Sequence, residues 1–212
     1  MKRNVTFWPV LALVVLLGAC GSDVHDHDDH DDHHGHNHDP NEVMTTLKLT
    51  FTPTDGGTKF VATWADPEND GSPVIDEIKL TKGKKYNVTM AVLNELEKPV
   101  EDVTPEIKDE QDDHQVFFYG EAVEGPGSKA TKALVKHEYS DKDSKEFPVG
   151  LSNTIEAVEA GDGSLFVMLR HMPPVNDTAV KTGTLAADFK ATGESALPGS
   201  SDINIDFKLT VE

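Results

Sequence analysis

The chain is 212 residues long, enough for one globular unit of ordinary size with an appendage rather than two independent cores. Thirty-eight acidic residues against 19 basic ones give a net charge of −19, which repels phosphate backbones and sets nucleic acid aside as a partner. A single cysteine excludes an intrachain disulfide, a multi-cysteine zinc knuckle and an iron–sulfur cluster, so any metal must be held by His, Asp and Glu.

Residues 1–19 read as a lipoprotein signal peptide. Lys2 and Arg3 start it, the stretch from Val5 to Leu17 is mostly apolar, and it closes on Leu17-Gly18-Ala19-Cys20. The apolar run is too short for a permanent membrane span. The closing residues resemble the bacterial lipobox, in which the signal is cut just before a cysteine that carries diacylglycerol. Cys20 is therefore the expected lipidation site and new first residue, anchored in the outer-membrane lipid bilayer by several acyl chains. Gly21 stands where an Asp would favour inner-membrane retention, and the acidic run beyond it resembles surface-export signals of some Bacteroidetes. The expected place is the cell envelope, with the outer membrane favoured. Cleavage removes two cations and no acid from the net −19, leaving −21.

Residues 20–40 form the next unit. Between Gly21 and Asp39 lie seven histidines, His25, His27, His30, His33, His34, His36 and His38, among seven aspartates. Val24 is the only aliphatic residue there, so nothing offsets the entropy of ordering and a disordered tail is expected in the metal-free chain. Imidazole suits zinc, copper and nickel, and the carboxylates raise the local cation concentration. Zinc is the expected metal, with copper and nickel competing in vitro. Competing histidine triplets predict a dynamic site for several ions rather than one rigid cage. A spacer that only keeps the domain off the membrane would need the charge but not the histidines.

From residue 41 to 212 the composition changes to period-two alternation with β-branched and aromatic residues. The expected strands are Leu47 to Phe51, Phe60 to Trp64, Glu77 to Leu80, Tyr86 to Leu93, Gln115 to Tyr119, Lys132 to Tyr139, Ser164 to His171, Thr184 to Lys190 and Ile203 to Val211. Turns are expected at Asp55-Gly56-Gly57, Lys82-Gly83, Gly125-Pro126-Gly127 and Gly161-Asp162-Gly163. One short helix starts with Thr104 as its cap and Pro105 in its first turn, and ends near His114. The pattern predicts a mainly β fold, a single antiparallel immunoglobulin-like β-sandwich with one short helix.

Within this domain Asp66, Glu68, Asp70 and Glu77 have the spacing of oxygen ligands in an EF-hand loop and make a possible calcium loop. The flanking strands and the prolines at 67 and 73 favour an acidic turn instead. His114 follows Asp112 and Asp113 at a helix-to-strand boundary, where the expectation is a solvated helix end, although such a cluster is also able to bind metal. His137 shares strand parity with Val135 and Tyr139, and His171 with Leu165, Val167 and Leu169. Strand-end histidines satisfied by a hydrogen bond are the plain account, and cross-strand adjacency of His137 and His171 would make a small site. No HExxH, GxSxG or glycine-rich phosphate loop is present, so an enzyme is not expected.

The order of these pieces resembles a group of small Bacteroidetes-type envelope lipoproteins with a His/Asp-rich tail. The resemblance runs through the lipobox, the tail, the acidic turn before Pro73-Val74-Ile75, the stretch from Val100 to Ile107 leading to Asp113-His114-Gln115, and Pro148-Val149-Gly150-Leu151. The strand Asp202 to Phe207 departs from the more acidic, proline-containing ending of that group. The resemblance implies association with a TonB-dependent receptor. Some members are labelled type 1 periplasmic-binding folds, a doubly wound α/β architecture against which the strand alternation argues. Together these observations lead to a lipid-anchored envelope protein that binds divalent metal through its tail, accessory to outer-membrane metal uptake. The alternative is a structural or adhesive surface lipoprotein with the tail as a charged tether.

Overall fold

Alternating apolar residues give each strand one face that must leave water, and two such sheets satisfy one another by packing face to face. The computed structural model describes residues 43–212. The chain divides into two units, Met1–His38 and Asp39–Glu212. Cys20 and the seven tail histidines lie outside the described residues.

In chain order the elements are β1 (Thr46–Pro53), β2 (Phe60–Ala65), β3 (Val74–Ile75), β4 (Ile78–Leu80), β5 (Lys85–Asn94), β6 (Glu101–Asp102), α1 (Thr104–Asp109), β7 (His114–Tyr119), β8 (Val123–Glu124), β9 (Val135–Tyr139), β10 (Ser152–Ala157), β11 (Gly161–His171), α2 (Leu185–Thr192), a 3₁₀ turn (Glu194–Ala196) and β12 (Ser200–Val211). The larger sheet has the order β3-β2-β1-β5-β10-β9-β8, with β6 paired to β5, and the smaller has the order β4-β12-β11-β7. Leu47, Leu49 and Phe51 of β1 and Val88 and Val92 of β5 meet Leu165, Val167 and Leu169 of β11 and Phe207 and Leu209 of β12 in one buried core. Ile107 of α1, fully buried, closes one margin of it.

The outer face of the smaller sheet is apolar as well. Phe117 of β7 and Met168 of β11 pack there with Leu185, Ala186 and Phe189 of α2 and with Met172 and Leu197. A fully buried side chain of this kind contributes about 1.5–3 kcal/mol. Burial on both sides explains why β7, and β11 from Val167 to Arg170, are continuously buried instead of alternating, save Tyr119 at the end of β7.

The mainly β fold of two packed sheets follows the alternation, and the differences from expectation have physical causes. Two pairings, β4 with β12 and β8 with β9, are parallel, so the sandwich is not purely antiparallel. Thr184 to Lys190, expected as a strand, is helical in α2. Its Leu185, Ala186 and Phe189 form a one-sided stripe, and the apolar outer face of β7 and β11 decides the conformation. The domain therefore has two α-helices. Residues Gly161 to Gly163, expected as a turn, begin β11, because a Cβ at Gly163 would lie 2.8 Å from that of Ala122 and only glycine allows the approach. β10 escaped the pattern because its inward side begins with a polar residue, Asn153, ahead of Ile155 and Ala157.

The helix α1 ends at Asp109, well before His114. Thr104 does not cap it. Its hydroxyl accepts from the Val92 backbone N–H at 2.8 Å, tying the helix to β5.

Asn153 has a defined task. His137 is 2% exposed, stacked on Phe118 at 4.7 Å and edge-on to Tyr139 at 4.8 Å. Its Nε2 donates to Asn153 Oδ1 at 2.9 Å, and the Asn153 amide is oriented by donation to Gly150 O at 2.6 Å. Nδ1 is buried with no partner. Burial therefore disfavours the imidazolium and lowers the His137 pKa from 6.5 to about 4. With the native pKa below the unfolded one, the stabilising effect is complete above pH 6.5 and lost as the pH falls towards 4, a difference of about 3 kcal/mol. Urea unfolding of the wild type and of His137→Gln at pH 7 and pH 4 checks this. The stability gap between the two proteins is expected to narrow by about that amount, and a pH-independent gap would contradict the assignment.

Candidate metal centre

Parity along two neighbouring strands builds the site. His114 shares the face of Val116 and Phe118 on β7, and His171 shares that of Leu165, Val167 and Leu169 on β11, so both face the space between the sheets. The antiparallel register of β7 and β11 places His114 directly opposite His171 at the end of the ladder. Their rings are parallel within 6°, with centroids 4.5 Å apart. Glu110, the residue that ends α1, brings a carboxylate to the same place. Among the described residues, Glu110, His114 and His171 are the set of three His, Cys, Asp or Glu side chains whose ligand atoms converge, all within 4.8 Å of one another.

His114 is 1% exposed, and its Nδ1 donates to the Glu110 carbonyl oxygen at 3.1 Å. That bond fixes the ring and leaves Nε2 with the lone pair when the imidazole is neutral, the arrangement in which ligating histidines are oriented by a second hydrogen bond. His171 is half-buried, and its Nε2 is fully buried without a hydrogen-bond partner. A buried nitrogen of this kind costs about 1–3 kcal/mol unless something occupies it.

The segment that carries Glu110 and His114 is pinned from several sides. Met172 N–H donates to Asp113 O at 2.7 Å, extending the β7–β11 ladder by one bond. Asp112 accepts from the backbone N–H and hydroxyl of Ser144, and these bonds hold its carboxyl below the usual range. Lys181 Nζ lies 2.8 Å from Asp143 Oδ2 and donates to Gln111 O at 2.8 Å, with both side chains of the pair wholly buried. Burial lowers the lysine pKa, opposed by the Asp143 carboxylate. Asp143 Oδ1 accepts from the backbone of Lys145 and Phe147.

On the other side, Arg170 fixes the end of β11. Its guanidinium donates to the carbonyls of Leu197, Pro198 and Gly199, to Glu194 and to Ser201 Oγ, folding the approach to β12 against the strand. Gly199, with φ +72°, packs on the His171 carbonyl where no Cβ fits.

The EF-hand-like residues are not brought together. Asp66 is 5% exposed and its two oxygens accept from the backbone N–H groups of Asp70 and Gly71, a local acidic turn. Asp70 accepts from Ser72 N–H. Glu77 turns to Lys208 at 2.7 Å and accepts from the Thr210 hydroxyl, contacts that hold its carboxyl at about 2. The calcium spacing thus has an account within the protein itself. His114, expected at a solvated helix end, is buried instead, because α1 stops early and β7 starts at His114 itself. His137 and His171 lie in different sheets and do not meet. The missed ligand is Glu110, and its signal is the i, i+4 spacing to His114. At the other end of β7 an open groove of about 440 Å³ is lined by Tyr119, Ser128, Phe189 and Glu194 among others. Glu194 is committed to Arg170 there.

The donor set at the end of β7 and β11 is two imidazoles and a carboxylate, which suits zinc and its neighbours and not calcium or magnesium. If Lys181 holds the 110–113 segment, Lys181→Met leaves the Asp143 carboxylate buried and uncompensated, and urea unfolding is expected to show a loss of about 3–5 kcal/mol. A loss under about 1 kcal/mol would mean that the pair does not support the site.

No family model, no curated protein and no solved structure matches this chain.

Proposed function

We propose that this protein is a lipid-anchored component of the cell envelope that binds divalent metal, zinc above all, and assists outer-membrane metal uptake, with a TonB-dependent receptor as its partner. The observation that carries the metal reading is the convergence of Glu110, His114 and the unpartnered His171 Nε2. The sequence adds the seven histidines between Cys20 and Pro40, whose carboxylate neighbours draw cations towards nitrogen ligands. Collection by a multi-ion histidine segment and retention by a fixed centre are different tasks, and one chain carries donors for both.

Metal analysis after zinc dialysis at neutral pH tests this. The chain from Cys20 is expected to hold several zinc ions, and the same chain with all seven tail histidines changed to Asn only one. If that variant keeps the full stoichiometry, the tail is a spacer. If neither chain holds zinc, the metal reading falls and the charged-tether reading takes its place.

Anchoring has its own test. In the expressing cell, Cys20→Ser is expected to abolish labelling by a fatty-acid analogue. Unchanged labelling would remove the lipoprotein assignment.

A further inference from the structure

We propose that the Glu110–His114–His171 centre is an open site for a borderline divalent cation of the zinc type: three protein ligands hold the ion and a ligand from outside the domain completes its shell. This inference rests on the metal-binding reading above and adds how the ion is held and exchanged.

The coordination count comes first. Structural zinc sites are closed by four protein ligands, whereas sites that exchange or activate a ligand use three and leave a position open. Among the described residues the converging set stops at three. Val116 and Leu169, both fully buried, are the next residues on the same faces of β7 and β11 and carry no donor, and Asp202, close enough to His171 to interact with it electrostatically, stands outside the converging set. The open position faces outward, past His171, the last residue of its strand and the more exposed of the two histidines.

The two histidines have unequal freedom. His114 is locked by its Nδ1 bond to Glu110 O and by near-complete burial. Stacked rings 4.5 Å apart hold their nitrogens in parallel planes, whereas two imidazoles on one ion at about 2.0–2.1 Å must point at a common centre, so binding requires one ring to tilt. His171 is the ring left to adjust: its Nε2 has no hydrogen bond to give up, and the contacts that a turn must shift are its stack on His114 and the nearby Asp202 carboxylate. A fixed ligand, a mobile ligand and a carboxylate at a chain corner make a site that accepts and releases an ion without unfolding either strand. The mobile ligand is also the outermost one, so release begins on the solvent side.

Cobalt(II) is the probe, because its visible d–d bands report coordination number and respond to added ligands. The protein is the chain from Cys20 with its seven tail histidines changed to Asn, which leaves the domain centre as the nitrogen site. One cobalt per chain is expected, with bands of four- or five-coordinate intensity that shift on adding azide or imidazole. His171→Asn is expected to weaken cobalt binding roughly a hundredfold while the domain still unfolds in one cooperative transition. Glu110→Gln, at a half-buried position, serves as the second variant and is expected to weaken binding in the same direction. Cobalt bound with bands indifferent to azide and imidazole, or bound equally well by both variants, overturns the open site and leaves metal binding by the chain in place. Cobalt bound by the unaltered tail but not by the tail variant overturns the domain centre alone. Cobalt bound by neither overturns the metal reading itself.

Discussion

The pairing of β7 with β11 is the constraint on which the rest of the domain hangs. β11 is bonded on one side to β12 and on the other to β7, and its side chains serve the inter-sheet core on one face and the α2 layer on the other. Shifting β7 by one residue against β11 would turn Phe117 into the inner core and expel Val116 and Phe118 from it. The same register sets His114 against His171. The apolar demand of two layers thus fixes the relative position of two polar rings that contribute little to folding themselves. A site supported in this way needs no dedicated scaffold, because any slip that would spoil it would also expose both cores.

Charged side chains then finish what the apolar register starts. Lys181 and Arg170 are 3% and 7% exposed, and each directs its donors at backbone carbonyls of a connecting segment. Loops lack a hydrophobic face to position them, so their buried carbonyls need donors, and one long cation supplies several at once. Arg170 alone satisfies three consecutive carbonyls, from Leu197 to Gly199. One cation holds the corner before β7 and the other the approach to β12. Their work explains how two irregular segments hold the end of the ladder still.

The acidic surplus has consequences on two scales. At long range a net charge of −19 raises the concentration of cations around the protein and opposes association with anionic surfaces. At short range, carboxylates of the folded domain are drawn into local duties: Asp66 closes a turn, Glu77 holds Lys208, Asp112 holds Ser144 and Asp143 holds Lys181. Glu110 lies at the end of α1, four residues before a buried histidine. Abundance of carboxylates therefore says little about where a cation is held, and geometry beside nitrogen donors says more.

By itself, the sequence determined the mainly β class, most of the long strands and the inward parity of His171, because alternation is a local property of the chain and faces follow from it. It determined the chemical character of the His/Asp segment too, since composition alone dictates which donors are present. The tertiary structure decided the rest. Thr184 to Lys190 became helix because the face it covers was already apolar, and Ser152 to Ala157 became a central strand although its inward side begins with Asn153. The meeting of His114 with His171 depends on which strands pair and in what register. Such pairing is a contest among all the apolar faces of the chain at once, and no window of sequence around either histidine contains it.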